Sequence, residues 1–97
     1  MKVENLLEEA ELTLEQCMIL LNKKSSDYAQ DDDALSNFKI VSEIVGITPQ
    51  QVVMVFLATK IVRLGELSKG KTPNNESIED SLLDNINYSI IFKALMR

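Results

Sequence analysis

The side chains with chemistry to offer are ionic, and they stand where apolar ones would be expected. Lys60 and Arg63 lie three residues apart, Asp80 and Asp84 four apart, and Asn87 follows three later. Each step along a helix turns about 100°, so Lys60 and Arg63 share a side with Val53, Phe56, Leu64 and Leu67. Asp80, Asp84 and Asn87 fall within one wedge of a later segment whose end, with Ile90, Ile91, Phe92, Leu95 and Met96, is apolar around nearly its whole circumference. Such a helix is covered on most sides, so Asp84 and Asn87 are expected to be semi-buried. A buried unpaired charge costs several kcal/mol or more, which leaves two arrangements. Lys60 or Arg63 bridges Asp80 or Asp84 internally, the lysine stem packed on aliphatic neighbours. Alternatively the same groups line a cleft between two helices, where cations and amides receive the phosphates and bases of a ligand, or the carboxylates hold Mg²⁺. Spacing alone leaves both open.

Other chemistries are narrowed by composition. The chain contains no His, which removes the usual general base, the Ser-His and Cys-His nucleophile pairs and the commonest transition-metal ligand. Cys17 stands alone, so an intrachain disulfide or a four-cysteine zinc site is out of reach, and a reducing compartment fits best. On a helix a lone cysteine reads as a small buried apolar residue.

Helices must position these groups. Val3, Leu6, Leu7, Ala10, Leu14, Cys17, Met18 and Leu21 recur at steps of three and four and predict a helix over 3–21, with Glu8, Glu9, Glu11 and Glu15 mainly on its solvated side. Residues 23–33 lose this periodicity and read as a loop. Asp33 or Ser36 is placed to cap a short helix carrying Phe38, Val41, Ile44 and Val45, which Gly46 ends in the left-handed conformation. Thr48-Pro49-Gln50-Gln51 has the form of a capping box, with Pro where its missing N–H is not needed. It opens a helix from Pro49 to about Leu67, whose continuation through Lys60 and Arg63 outweighs the β-branched run Val52-Val53-Met54-Val55. A second loop spans 70–75, and Ser77 caps a last helix with Glu79 and Asp80 in its first turn, where the macrodipole favours acids. The expected fold is all-α, a small helical bundle of three long helices and one short helix.

With 97 residues the chain has room for one domain, 1–97, and a thin core that an oligomer would extend. Ten Lys+Arg against fifteen Asp+Glu leave a net charge of −5, too acidic for the clustered cations that duplex nucleic acid requires. No stretch approaches the 18 or so uncharged residues of a spanning helix, and the start lacks the apolar core of a signal peptide. The expectation is a cytoplasmic protein and no membrane partner.

Three segments add a resemblance. Lys24-Ser25-Ser26-Asp27-Tyr28, then Asp33-Ala34-Leu35-Ser36-Asn37-Phe38-Lys39, then Glu76-Ser77-Ile78-Glu79-Asp80-Ser81-Leu82-Leu83-Asp84 with Asn87-Tyr88 resemble the nucleotide modification associated domain family found in many phages. Lys60-x-x-Arg63-Leu64 stands between the last two, and the likeness covers most of the chain. That family looks related to the all-helical MazG and dimeric dUTPase type of nucleotide pyrophosphohydrolase, whose helix-borne acids bind Mg²⁺ against a nucleotide's phosphates. The resemblance implies a pocket rim of Asp27, Tyr28, Asn37 and Phe38, phosphate contacts at Lys60 and Arg63, and a facing wall of Glu79, Asp80, Asp84, Asn87 and Tyr88, with Asp80 and Asp84 as the metal pair. The chain departs from it at Thr59, where the family tends to place an acid before the lysine, and the glutamates of the first helix point outward. Fewer carboxylates imply binding without hydrolysis.

The resulting expectation is a phage-type homo-oligomeric protein that binds a nucleotide or nucleotide-derived molecule, for nucleotide or DNA-base modification or to sequester an immune signal. A Mg²⁺-dependent pyrophosphohydrolase, and an acidic inhibitor of a host protein, are the alternatives.

Overall fold

The computed structural model describes residues 1–28, 33–72 and 76–97, the side chains of 26–28 excepted. Four helices follow one another: α1 (Val3–Tyr28), α2 (Ser36–Val45), α3 (Pro49–Ser68) and α4 (Ile78–Leu95). There is no strand among the described residues, and the all-α bundle of three long helices and one short one stands as expected. No single helix among them is long and apolar enough to cross a membrane.

Helix ends follow local chemistry. At α3, Thr48 Oγ1 accepts the Gln51 N–H at 3.1 Å while Gln51 Oε1 accepts the Thr48 N–H at 2.9 Å, a reciprocal cap. Ser77 Oγ accepts the Asp80 N–H at 3.0 Å and starts α4. Gly46, at φ +82°, closes α2, its N–H donating to the Ser42 carbonyl at 2.9 Å; only a residue without Cβ takes that conformation at no cost.

Two boundaries differ from the sequence reading. α1 runs on to Tyr28 through the polar stretch expected to be loop. Lys24 and Ser25 lie one helical turn beyond Leu21 and keep facing α4, so a tertiary ion pair sustains the helix where apolar periodicity stops. At α2 neither Asp33 nor Ser36 is the cap: Leu35 holds that position without a side-chain bond, and Ser36 is already helical. Asp33 instead folds the chain just upstream, its carboxylate accepting the Leu35 N–H at 2.9 Å and Lys39 Nζ at 2.6 Å. Those bonds, Lys39 first, hold its carboxyl below the ordinary 3.8.

α4 lies between α3, its most extensive partner, and α1, while α2 packs on α3. Phe38, Val52 and Val53 are the centre of the core. An aromatic run ties three helices together: Phe38 of α2 meets Phe56 of α3 edge-on at 6.2 Å, and Phe56 stacks on Tyr88 of α4 at 5.5 Å. On α1 Cys17 is buried as expected, while Val3, Leu6, Leu7, Leu14 and Met18 are exposed. The end of α4 is also less covered than its composition suggested, since Ile90 and Met96 are exposed.

Because the α3 cap satisfies two otherwise orphaned N–H groups, Thr48→Ala is expected to lower unfolding free energy by about 1 kcal/mol, read as a shift in the urea midpoint with unchanged slope.

Candidate functional site

Asp84 is the electrostatic centre of the bundle. Its side chain is 11% exposed, and it sits on α4 where α1 and α3 approach from opposite sides. Lys24 of α1 donates to Oδ1 at 2.8 Å, and Lys60 Nζ of α3 lies 3.0 Å from Oδ2. Lys60 also donates to both carboxylate oxygens of Glu76 at 2.8 Å. Arg63 Nη2 donates to the Glu76 carbonyl at 2.8 Å, and its Nε lies 3.3 Å from Glu76 Oε2. One network of alternating charge thus joins α1, α3, α4 and the residue before the Ser77 cap.

The titration of these groups follows from the geometry. Burial would raise the Asp84 carboxyl, but the hydrogen bonds from Lys24 and Lys60 outweigh it and hold the group below its ordinary 3.8. Burial would likewise lower Lys60, and the bonds to Glu76 and Asp84 reverse that and raise it above 10.5. Both ionised forms are therefore native-state features.

The internal bridge expected from spacing forms between Lys60 and Asp84. Arg63 turns to Glu76 rather than to either aspartate, and Asp80 is exposed at the start of α4, outside the network. Glu79 is exposed beside it. Of the suggested Asp80/Asp84 metal pair, Asp84 is taken up by lysines while Asp80 is exposed, and the Lys60 ammonium stands between the carboxylates of Glu76 and Asp84, where a divalent ion would have to enter. The described residues contain no group of three or more His, Cys, Asp or Glu able to hold a metal. These carboxylates do not fit a Mg²⁺ site.

An open cavity of about 290 Å³ lies on the other side of Asp84, between the end of α1, the start of α2 and α4. Leu35, Phe38, Tyr88 and Ile91 form much of its apolar wall, and Lys24, Ser25, Asp84 and Asn87 its polar corner. The cleft was expected between α3 and α4 or between subunits; α3 contributes no residue to this cavity, and Lys60 and Arg63 are absent from its lining. Of the residues suggested for a ligand site, Phe38, Asn87 and Tyr88 are brought together here, with Asp84 from the suggested metal pair. Asn37 is half-buried on α2 but does not line the cavity. The side chains of Asp27 and Tyr28 lie outside the described residues.

Asn87 is the informative member. It is 5% exposed, and its Nδ2 donates to the Cys17 carbonyl at 3.1 Å, which orients the amide. Its Oδ1 has no hydrogen-bond partner among the described residues. Leaving such an acceptor buried costs on the order of 1–3 kcal/mol. Ser81 Oγ and Asn85 Oδ1 are also without partners among the described residues, but neither residue lines the cavity, which sets Asn87 apart.

Lys24 and Glu76 escaped the sequence reading as site residues. Both stand inside the motifs that carried the resemblance, but Lys24 was placed in a loop and Glu76 was given no role beside the cap it precedes. No family model matches the chain, and neither a curated protein nor a solved structure matches it.

Removing the central carboxylate leaves two lysines without their shared anion, so Asp84→Asn is expected to cost about 2–4 kcal/mol at neutral pH. The contribution of Asp84 is complete above pH 3.8 and lost as pH falls through its lower native value, whereas that of Lys60 is complete below 10.5 and fades as pH rises through its higher one. Denaturation curves across pH check this: the acid limb of the wild type is expected to flatten in Asp84→Asn. Cys17 is 0% exposed, and burial, followed by the nearby Asp84 charge, pushes its thiol above 9.0. It is expected to resist alkylation by iodoacetamide at pH 8 in the native protein and to react at the rate of a free thiol in guanidinium.

Proposed function

We propose that this chain is a small nucleotide-binding protein that holds its ligand without hydrolysing it, and that the cavity between α1, α2 and α4 receives the base. The observation that carries the reading is an apolar cavity whose polar corner includes Asn87, a buried amide whose Oδ1 has no hydrogen-bond partner among the described residues. A flat ring with an edge N–H or amino group answers both features. Its faces lie against Leu35, Phe38, Tyr88 and Ile91, and its donor pairs with Oδ1 once the Asn87 amide, closed to solvent in the structure, shifts toward the cavity. Discrimination against rings lacking that donor follows from the same unpaired acceptor.

Lys24 supports an anionic extension of the ligand. Its side chain is 39% exposed at the cavity, more open than Lys60 at 18%, so it can turn toward a phosphate while Lys60 continues to neutralise Asp84. Lys60 and Arg63 then act as supports of the wall rather than as phosphate contacts. The absence of hydrolysis follows from the carboxylates: an acid bonded to lysine ammonium groups neither collects a divalent ion nor accepts a proton from water at neutral pH. A protein of this kind acts by sequestration or delivery, which suits a phage protein handling modified nucleotides or a nucleotide-derived immune signal.

Mass spectrometry of small molecules released by denaturing the purified protein is expected to yield a base-containing anion. Calorimetry with nucleotides, cyclic dinucleotides and ADP-ribose derivatives should then show binding that Ala34→Trp, an exposed position at the cavity, weakens at least tenfold. No binding across the panel below about 1 mM, or binding indifferent to Ala34→Trp, overturns the reading.

A further inference from the structure

Two apolar helix faces are bare. On α1 the side that buries Cys17 against α4 continues toward the N-terminus through Val3, Leu6, Leu7, Ala10 and Leu14 with nothing over it; Leu7 is 58% and Leu14 51% exposed. Every residue from Val3 to Leu12 is exposed. A helical segment this short does not persist in water by itself, because most helix stability in proteins comes from packing an amphipathic face. On α3, Met54, Ala58, Ile61 and Gly65 fall along one line, flanked by Val55 and Val62, all exposed. Ile61 is 58% and Val62 67% exposed. This stripe carries no charge, since Lys60 and Arg63 point to the opposite, inner side.

We propose that a second copy of this chain covers both faces, the α1 seam of each protomer lying along the α3 stripe of the other about a two-fold axis. Area is the first argument. Together the two separate faces expose roughly 900 Å² of apolar side chain per chain, and a symmetric pair covering both buries on the order of 1,800 Å², a standard stable interface. Shape is the second: the α1 seam is bulky, and the α3 stripe is low at Ala58 and Gly65, so leucines of one enter the trough of the other. Charge is the third. Glu4 and Glu11 border the α1 seam, so pairing two α1 helices sets like charges side by side, whereas the α3 stripe has only Glu66 at its edge. The chain also has few fully buried apolar residues of its own, so the covering partner must be present whenever the fold is, and a second copy meets that condition. The inference is independent of any ligand.

Analytical ultracentrifugation of the wild type at about 20 μM is expected to show a dimer or an even multiple of it. Leu7→Glu with Leu14→Glu, and separately Ala58→Glu, should each weaken association at least tenfold; circular dichroism should show the loss of helix confined to α1 or absent. To read the pairing itself, Leu7→Cys and Ala58→Cys, each with Cys17→Ser, are mixed and treated with a short bis-maleimide. Cross-linked product requiring both variants is expected. A monomeric wild type, an assembly indifferent to either charged variant, or efficient cross-linking of Leu7→Cys with itself overturns the proposal.

Discussion

A carboxylate taken out of water must be answered by cations, and in this chain that requirement organises the bundle. Asp84 is held by Lys24 from one neighbouring helix and Lys60 from the other. The residue is too covered to be solvated and too firmly ionised to be neutral, so the two lysines tie α1 and α3 to α4 at one level. Glu76 extends the same logic to the second cation on α3 by accepting from Lys60 and Arg63 together. Ion pairs of this kind contribute less net stability than their distances suggest. What they impose is register, because a shift of α1 or α3 along α4 by one turn separates the partners.

That register has consequences on both sides of α4. Toward α3, the aromatic contacts Phe38–Phe56–Tyr88 pack a continuous apolar layer. Toward α1, the helices part near the start of α2 and leave the cavity, with Tyr88 and Phe38 shared between core and cavity wall. Asn87 stands at the junction, its amide N–H committed to the α1 backbone and its oxygen left over. The charged network thus supports the pocket from behind through Lys60, Glu76 and Arg63 and enters its lining through Lys24 and Asp84. Lysines that neutralise the wall carboxylate also stand where a divalent cation would have to enter.

Much of the fold was legible because helix ends are written in local chemistry. Thr48, Pro49 and Gln51 lie within four residues of one another, as do Ser77 and Asp80, so their bonds need no tertiary partner. Gly46 is equally local. Lys24 was different: its partner is 60 residues away, and a polar stretch beyond the last apolar repeat has the composition of a loop until that partner is known. The α1 stripe shows the converse. Its periodicity was correctly helical, but periodicity states only that a face is apolar, and the chain supplies no cover for most of it.

The sequence by itself determined the helices, most of their caps, and the fact that Lys60, Arg63, Asp84 and Asn87 lie on faces otherwise apolar. Only the tertiary structure decided that Arg63 meets Glu76, that Asp80 meets none of the cations in that network, and that the cavity opens toward α1 and α2 instead of α3. The physical reason is that spacing fixes a residue's angle about its own helix axis, whereas pairing depends on how far each helix is rotated and slid against the next, and that is set by the packing of all of them at once.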